Sequence, residues 1–132
     1  MGAEAAQHLS RSTVALELPL VARAALDQIS DKELPELARA VVLLTSGMVS
    51  VEERDFAAAV TQLTEAETVL NKFGNTLILG FLAELQAYLA LALVAQGRID
   101  EARGRFAAMK PLLVAQKSHR LVVRVEAAVG VA

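Results

Sequence analysis

The residue types that catalyse reactions or bind metals are sparse in this sequence. It contains no cysteine, which excludes disulfides, thiolate zinc sites and cysteine nucleophiles. Its two histidines are His8 and His119, and His119 lies beside Lys117 and Arg120, where a solvated or capping role fits better than catalysis. It contains no glycine-rich phosphate loop, metal-binding histidine pair or nucleophile elbow. We therefore expect no catalytic residue, no metal site, no cofactor and no enzymatic activity.

Carboxylates are the remaining candidates for chemistry. Four of them cluster near the second predicted helix and its turn: Glu36, Glu52, Glu53 and Asp55. A carboxylate pair for acid–base catalysis needs two environments that separate the pKa values. A run of charges on a turn is usually solvated, so we interpret this cluster as surface.

Composition and charge restrict the class of protein. The chain has 132 residues, of which 55% are hydrophobic and 4% aromatic, with a net charge of −2. This length suits one domain, an alanine- and leucine-rich mixture favours packed helices, and the charge argues against nucleic-acid binding. The first ten residues lack the features of a signal peptide, so we expect a cytoplasmic protein. We interpret the basic residues of the C-terminal part as a solvated face rather than a phosphate-binding stripe. They are Arg98, Arg103, Arg105, Lys110, Lys117, Arg120 and Arg124.

Hydrophobic periodicity predicts six helices in an all-α fold. We expect a flexible lead-in at 1–12 and a single helical-repeat domain at 13–132. The predicted helices begin with a short one at 18–30 and continue with one around 37–48, then with helices at about 56–70, 76–97, 99–113 and 118–130. Leu121, Val122, Val125, Ala128 and Val129 are expected to share one face of the last helix.

One glycine and one glutamate within these helices are informative. Gly47 lies inside the second helix, where it costs roughly 1 kcal/mol relative to alanine, so we expect a close helix contact there. The fourth helix is the most apolar segment and is long enough to span a bilayer. Glu84 would lie near the bilayer centre at a cost of about 2.5–3.5 kcal/mol. We therefore expect a central helix buried on most sides and no membrane insertion.

The sequence contains an internal repeat with a period of 43 residues. Small Ala59 and Ala102 would allow two helices to approach closely, and bulky Leu63 and Phe106 would fill the space one turn later. Stacked helical hairpins need this pattern, because each pair buries its apolar face only against a neighbour. The repeated positions are Arg54, Phe56, Ala59, Leu63, Ala66 and Leu70, followed by Gly97, Ile99, Ala102, Phe106, Met109 and Leu113.

On these residues the chain resembles the tetratricopeptide-repeat (TPR) family. The turn and second helix of the motif resemble the segment that holds Gly97, Ala102 and Phe106. Departures from the family pattern are Arg54 in place of the turn glycine, Ser46 in place of leucine, the absence of tryptophan and the longer period. Long periods of this kind occur in TPR-like domains of bacterial regulators and signalling proteins. The resemblance implies a short α-solenoid with repeat-like units at about 36–72 and 76–114, flanked by cap helices.

The resemblance also implies a binding groove lined by one face of each first helix. At this register it would hold Val41, Leu44, Met48, Glu84, Ala87, Leu91 and Val94, with Val51 and Ala95 extending the two rows. This groove would be apolar with one acidic end, suited to an amphipathic helix or an extended peptide. A groove filled by the chain's own terminal helix is an equal alternative. For Glu84, simple exposure or pairing with an arginine is favoured over a binding role.

Two functions follow from this pattern. The first is a protein–protein interaction module, a scaffold that binds a protein or peptide partner in the apolar groove. Substitution of Leu44 or Leu91 by glutamate is then expected to abolish binding while the fold survives. The second is a structural, self-associating bundle or a fragment of a larger regulatory protein, in which the last helix packs on a second copy.

Overall fold

The computed structural model describes residues 32–73 and 76–130, with the backbone alone at 76 and 77. This part of the chain forms five α-helices, numbered here in chain order: α1 Leu34–Glu52, α2 Phe56–Leu70, α3 Thr76–Ala95, α4 Ile99–Ala115 and α5 His119–Val129. Consecutive helices pack as antiparallel neighbours. The predicted all-α fold is therefore confirmed. The expected lead-in at 1–12 and first helix at 18–30 lie outside the described residues.

The hairpin of α1 and α2 packs through a glycine. Pro35 lies in the first turn of α1, where its missing N–H removes no helical hydrogen bond. At the start of α2 the Asp55 side chain accepts a hydrogen bond from the Ala58 amide at 3.3 Å. A β-carbon built on buried Gly47 would lie 2.5 Å from the Leu63 side chain. The close helix contact predicted at Gly47 is confirmed.

Three of the helix connections use the same turn. Arg54, Gly97 and Lys117 adopt positive φ angles of 63°, 81° and 63°. In each turn the next amide donates to the carbonyl oxygen five residues earlier, from Asp55 to Ser50 at 2.8 Å, Arg98 to Leu93 at 2.8 Å and Ser118 to Leu113 at 2.9 Å. This left-handed ending satisfies carbonyl groups that a helix terminus would otherwise leave without a donor. It also keeps the connections short, so successive helices pack against each other.

The central helix is α3, which packs against each of the other four described helices. Ala83, Leu85 and Ala87 are all 0% exposed, although Leu85 points to the side of the helix nearly opposite to the two alanines. A helix that is apolar all round is typical of such a buried position. By length and composition alone, α1 and α3 could each span a bilayer, but 61% of the α3 span is buried inside the protein. The prediction of a central helix buried on most sides is confirmed.

The last described helix packs on α3 and α4. Val122, Val125 and Val129 of α5 are at most 6% exposed. Leu121 is half-buried, as the predicted face requires, but Ala128 is exposed, so the buried stripe is narrower than expected. At its C-terminal end the Val129 carbonyl accepts hydrogen bonds from Arg103 Nε at 3.1 Å and Nη2 at 2.9 Å, and the Lys110 ammonium pairs with Glu126 at 2.6 Å. These contacts anchor α5 to α4.

Candidate partner-binding site

The structure divides the seven predicted groove residues into two groups. Half-buried positions are occupied by Val41, Met48, Glu84 and Val94. The others lie in the core, with exposed fractions of 3% for Leu44, 0% for Ala87 and 9% for Leu91. A buried ionised carboxylate without a partner is very costly. A glutamate at Leu44 or Leu91 is therefore expected to disrupt the fold, which makes either substitution unsuitable for testing binding.

The more accessible stripe of α3 carries Phe81, Glu84 and Tyr88, all half-buried. Their spacings of three and four residues place them on one side of the helix. The positions 43 residues earlier are Ala38, Val41 and Thr45 of α1, of which the first two are half-buried and Thr45 is exposed. The two helices therefore present corresponding stripes.

Three helices meet at Tyr88. Burial raises the pKa of its phenol, the Glu52 and Glu84 carboxylates raise it further, and the Arg124 guanidinium opposes them. Arg124 of α5 donates to Glu52 of α1, its partner 72 positions away in the sequence. Charged groups of α1 and α5 therefore lie close to Tyr88 of α3. We call this surface the three-helix face and define it by Ala38, Val41, Thr45, Met48, Glu52, Phe81, Glu84, Tyr88 and Arg124.

Glu84 is the unusual group on the three-helix face. Its side chain is half-buried, and burial alone raises the pKa of its carboxyl group. Within the described parts of the chain it makes no hydrogen bond and no ion pair, whereas Glu52 on the same face is paired with Arg124. Pairing of Glu84 with an arginine, one of the two alternatives in the sequence analysis, is therefore absent among these residues.

A polar network lies away from this face and joins α2, α3 and α4. Arg105 Nη1 donates to Glu67 Oε2 and to Gln86 Oε1, each at 3.0 Å, and Gln86 Nε2 donates to Glu67. Gln86 is 7% exposed, so the bonds satisfy a buried amide. Arg105 Nε also donates to Glu101 at 3.3 Å. Sequence reasoning missed this network, although a lone glutamine inside an apolar helix was a signal for it.

The described residues offer few side chains that could bind a metal ion or a cofactor. They contain no group of three or more histidine, aspartate and glutamate side chains placed to hold a metal ion. His119 is exposed at the start of α5. A shallow, mostly apolar cleft of about 260 Å³ lies between α4 and α5, lined by Arg103, Phe106, Ala107, Lys110, Glu126 and Val129. Its charged rim consists of the contacts that anchor α5, so the three-helix face is the stronger candidate site.

Sequence reasoning found part of this face. It selected Val41, Met48 and Glu84 but not Phe81, Tyr88 or Arg124. The signal for Phe81 and Tyr88 was their helical spacing around Glu84. No local pattern identifies Arg124, whose place on the face depends on how α5 packs.

Comparisons with protein-family models, with curated proteins and with solved structures find no match to this chain.

Proposed function

We propose that this protein is a TPR-like interaction module that binds a partner helix or peptide along the three-helix face. The observation that carries the proposal is the meeting of α1, α3 and α5 around Tyr88: α3 packs against both other helices, and Arg124 of α5 pairs with Glu52 of α1. A surface built from several helices offers a longer and more specific contact than a single helix can. Such a scaffold acts by binding and requires no catalytic group.

The repeat positions support the hairpin-stacking part of this proposal. Arg54 and Gly97, 43 residues apart, share the positive φ angle of the turn. Ala59 and Ala102 are both fully buried, and Leu63 and Phe106 are 0% and 4% exposed. Each pair thus has the same backbone or packing role in its own hairpin, as stacked helical repeats require.

The chemistry of the face supports a peptide or helix as the ligand. Val41, Met48 and Phe81 are half-buried apolar side chains, and Tyr88 adds a ring with a polar end. Apolar and aromatic anchors of this kind supply most of the binding energy in protein interfaces. The face follows the lengths of parallel helices, which suits the regular side-chain spacing of an amphipathic helix.

The test is a selection of 20-residue helical peptides from a display library on the immobilised protein. Affinities of the selected peptides would then be measured for two matched variants, Thr45→Trp and Thr61→Trp. Both threonines are exposed and donate their hydroxyl groups to the carbonyl oxygen four residues earlier, Thr45 on the three-helix face and Thr61 on α2. We expect Thr45→Trp to weaken binding roughly tenfold or more, as loss of a central interface contact does, with little effect of Thr61→Trp. Equal effects, or a selection that yields no peptide, would contradict the proposal.

A second candidate function is self-association through α5. Val123 of α5 is 65% exposed, and its neighbour on the same side, Ala127, is also exposed. Exposed apolar side chains on a helix at the edge of a bundle can pack on a second copy. Light scattering would then show a dimer whose mass falls to that of one chain in Val123→Lys. A single-chain mass for the unaltered protein at high concentration excludes this candidate.

A further inference from the structure

The carboxylate of Glu84 lies in an unusual setting within the three-helix face. It stands between Phe81 and Tyr88 on the accessible stripe of α3, and the side chain is half-buried. The cation that acts on the neighbouring Tyr88 is Arg124, which is already paired with Glu52. Within the described residues, no group donates a hydrogen bond to Glu84 or forms an ion pair with it.

We propose that the occupant of the three-helix face is an amphipathic helix of another protein, with a lysine or arginine that projects from its apolar side and pairs with Glu84. This inference rests on the proposed function and specifies the chemistry of the partner. The apolar side of the partner contacts Val41, Met48 and Phe81, and its cation enters between Phe81 and Tyr88.

Desolvation is the physical reason for the cation. A partner that covers Phe81 and Tyr88 also removes the remaining water from the carboxylate between them. Burial of an ionised carboxylate without compensation costs more than apolar contacts of this size return. A purely apolar helix therefore binds poorly, and an acidic helix binds worse because like charges repel. A lysine or arginine compensates the charge and covers neighbouring apolar side chains with its methylene groups.

Charge on the rest of the face favours the same partner. Glu52 and Glu84 are acidic and Arg124 is basic, so the described charges of the face leave one negative charge in excess. Since Glu52 and Arg124 are paired across the face, the charge that the described residues leave uncompensated lies at Glu84. Complementarity therefore requires a single cation at one position, flanked by apolar side chains.

The experiment selects peptides from a display library of 20-residue amphipathic helices in which the apolar side is randomised to include lysine, arginine, glutamate and apolar residues. The bait is the full chain, and a parallel selection uses the Glu84→Lys variant. We expect lysine or arginine at one position of the apolar side with the unaltered chain and its loss, or replacement by glutamate, with the variant. Circular dichroism and thermal unfolding verify that both baits are folded.

A double-mutant cycle then isolates the pair. Glu84→Gln is expected to weaken binding of a selected peptide by roughly tenfold or more, in the range for loss of one partner of a desolvated charge pair. Replacement of the peptide's basic residue by norleucine should weaken binding to the unaltered chain similarly, but should have little further effect on the Glu84→Gln variant. The conservative variant Glu84→Asp should retain part of the affinity.

Other outcomes separate this inference from the proposed function. The inference would be overturned, with the interaction module intact, by one set of results. The selected peptides would lack a basic residue, bind the Glu84→Gln variant as well as the unaltered chain, and bind the Thr45→Trp variant more weakly. A selection without peptides, or with peptides that ignore Thr45→Trp, would overturn both. Enrichment of peptides that match α5 of this chain would identify a second copy as the occupant and would also overturn the inference.

Discussion

Leu63 of α2 packs directly on Gly47 of α1. A β-carbon built on Gly47 would lie 2.5 Å from both Cγ and Cδ2 of Leu63, and the leucine side chain is 0% exposed. Close approach of the two helices therefore depends on the missing side chain of the glycine. The same contact sets how α1 is placed against α2, and hence where α1 presents Val41 and Thr45.

Alanine at Gly47 is expected to destabilise the protein, because its methyl group would force the fully buried Leu63 side chain to shift. We expect a loss of about 1–3 kcal/mol, the usual cost of an additional methyl group in a packed core. Chemical denaturation monitored by circular dichroism measures it. Gly104 in α4 is the control, since it is exposed and a β-carbon there meets no atom within 4 Å. Gly104→Ala should stabilise the helix by roughly 0.5–1 kcal/mol, and a loss of stability in both variants would contradict the packing argument.

The turn residues predict stabilising substitutions. Arg54 and Lys117 have φ angles of 63°, a conformation that costs a residue with a β-carbon roughly 1–2 kcal/mol. Arg54→Gly and Lys117→Gly are therefore each expected to raise the free energy of unfolding by about 1 kcal/mol. Glu53 precedes Arg54 and has a φ of −82°, so Glu53→Gly should lower it by a similar amount. Thermal and urea unfolding test all three, and destabilisation by Arg54→Gly would show that its side chain matters more than its backbone.

The half-buried carboxylate predicts a stability that depends on pH. Burial raises the pKa of Glu84, so the folded state binds its proton more tightly than the unfolded state. The carboxylate therefore costs stability above the folded-state pKa, and this cost disappears below the ordinary value of about 4.3 for glutamate. Glu84→Gln should raise the free energy of unfolding by less than about 1 kcal/mol at pH 7, because the group is partly solvated. The gain should vanish near pH 3.

Glu36 provides a control of opposite sign. A hydrogen bond from the Lys72 ammonium at 2.8 Å, together with its charge, lowers the pKa of Glu36. Its contribution to stability is therefore present at neutral pH and is lost as the pH falls through the folded-state pKa. Glu36→Gln should lower the melting temperature slightly at pH 7 and leave it unchanged at low pH. A Glu84→Gln variant with the same profile as Glu36→Gln would contradict the burial argument.

The two arginine contacts between distant helices should differ in energy. Arg105 serves the buried amide of Gln86 as well as Glu67, and its side chain is 31% exposed. Arg105→Met leaves the glutamine oxygen without its donor and is expected to cost about 1–3 kcal/mol. The ion pair of Arg124 and Glu52 is more open, with side chains 43% and 56% exposed. Arg124→Met should therefore cost less than about 1 kcal/mol. Denaturant unfolding measures both losses, and a larger loss for Arg124→Met than for Arg105→Met would contradict this prediction.

Much of the fold follows from the sequence because its helices carry clear boundaries. Asp55 and Gly97 mark where helices begin and end, and the structure places the ends of α1 and α3 close to them. Gly47 signalled a close contact because glycine inside a helix needs a packing reason. The side of α3 that faces the surface was harder to predict. The helix is apolar all round, so its hydrophobic pattern does not define the orientation, and Ala87 and Leu91 were assigned to a groove although both are buried.

Contacts between residues far apart in the sequence could not be predicted, for a different reason. The basic residues of the C-terminal part were interpreted as a solvated face, yet Arg103 binds the end of α5 and Arg105 reaches Glu67 and Gln86. These partners lie on other helices, and the amino-acid types alone allow many pairings. Only the packing of α2, α3, α4 and α5 selects among them.

The most direct test of the proposed binding surface is the change in backbone amide chemical shifts when a selected helical peptide is added to the ¹⁵N-labelled chain. The proposal predicts that the shifted amides cluster on α1, α3 and α5 around Val41, Thr45, Glu84, Tyr88 and Arg124, and that Thr45→Trp removes the changes. Shifts confined to the outer sides of α2 and α4, or a peptide that binds without affecting the amides near Tyr88, would contradict it.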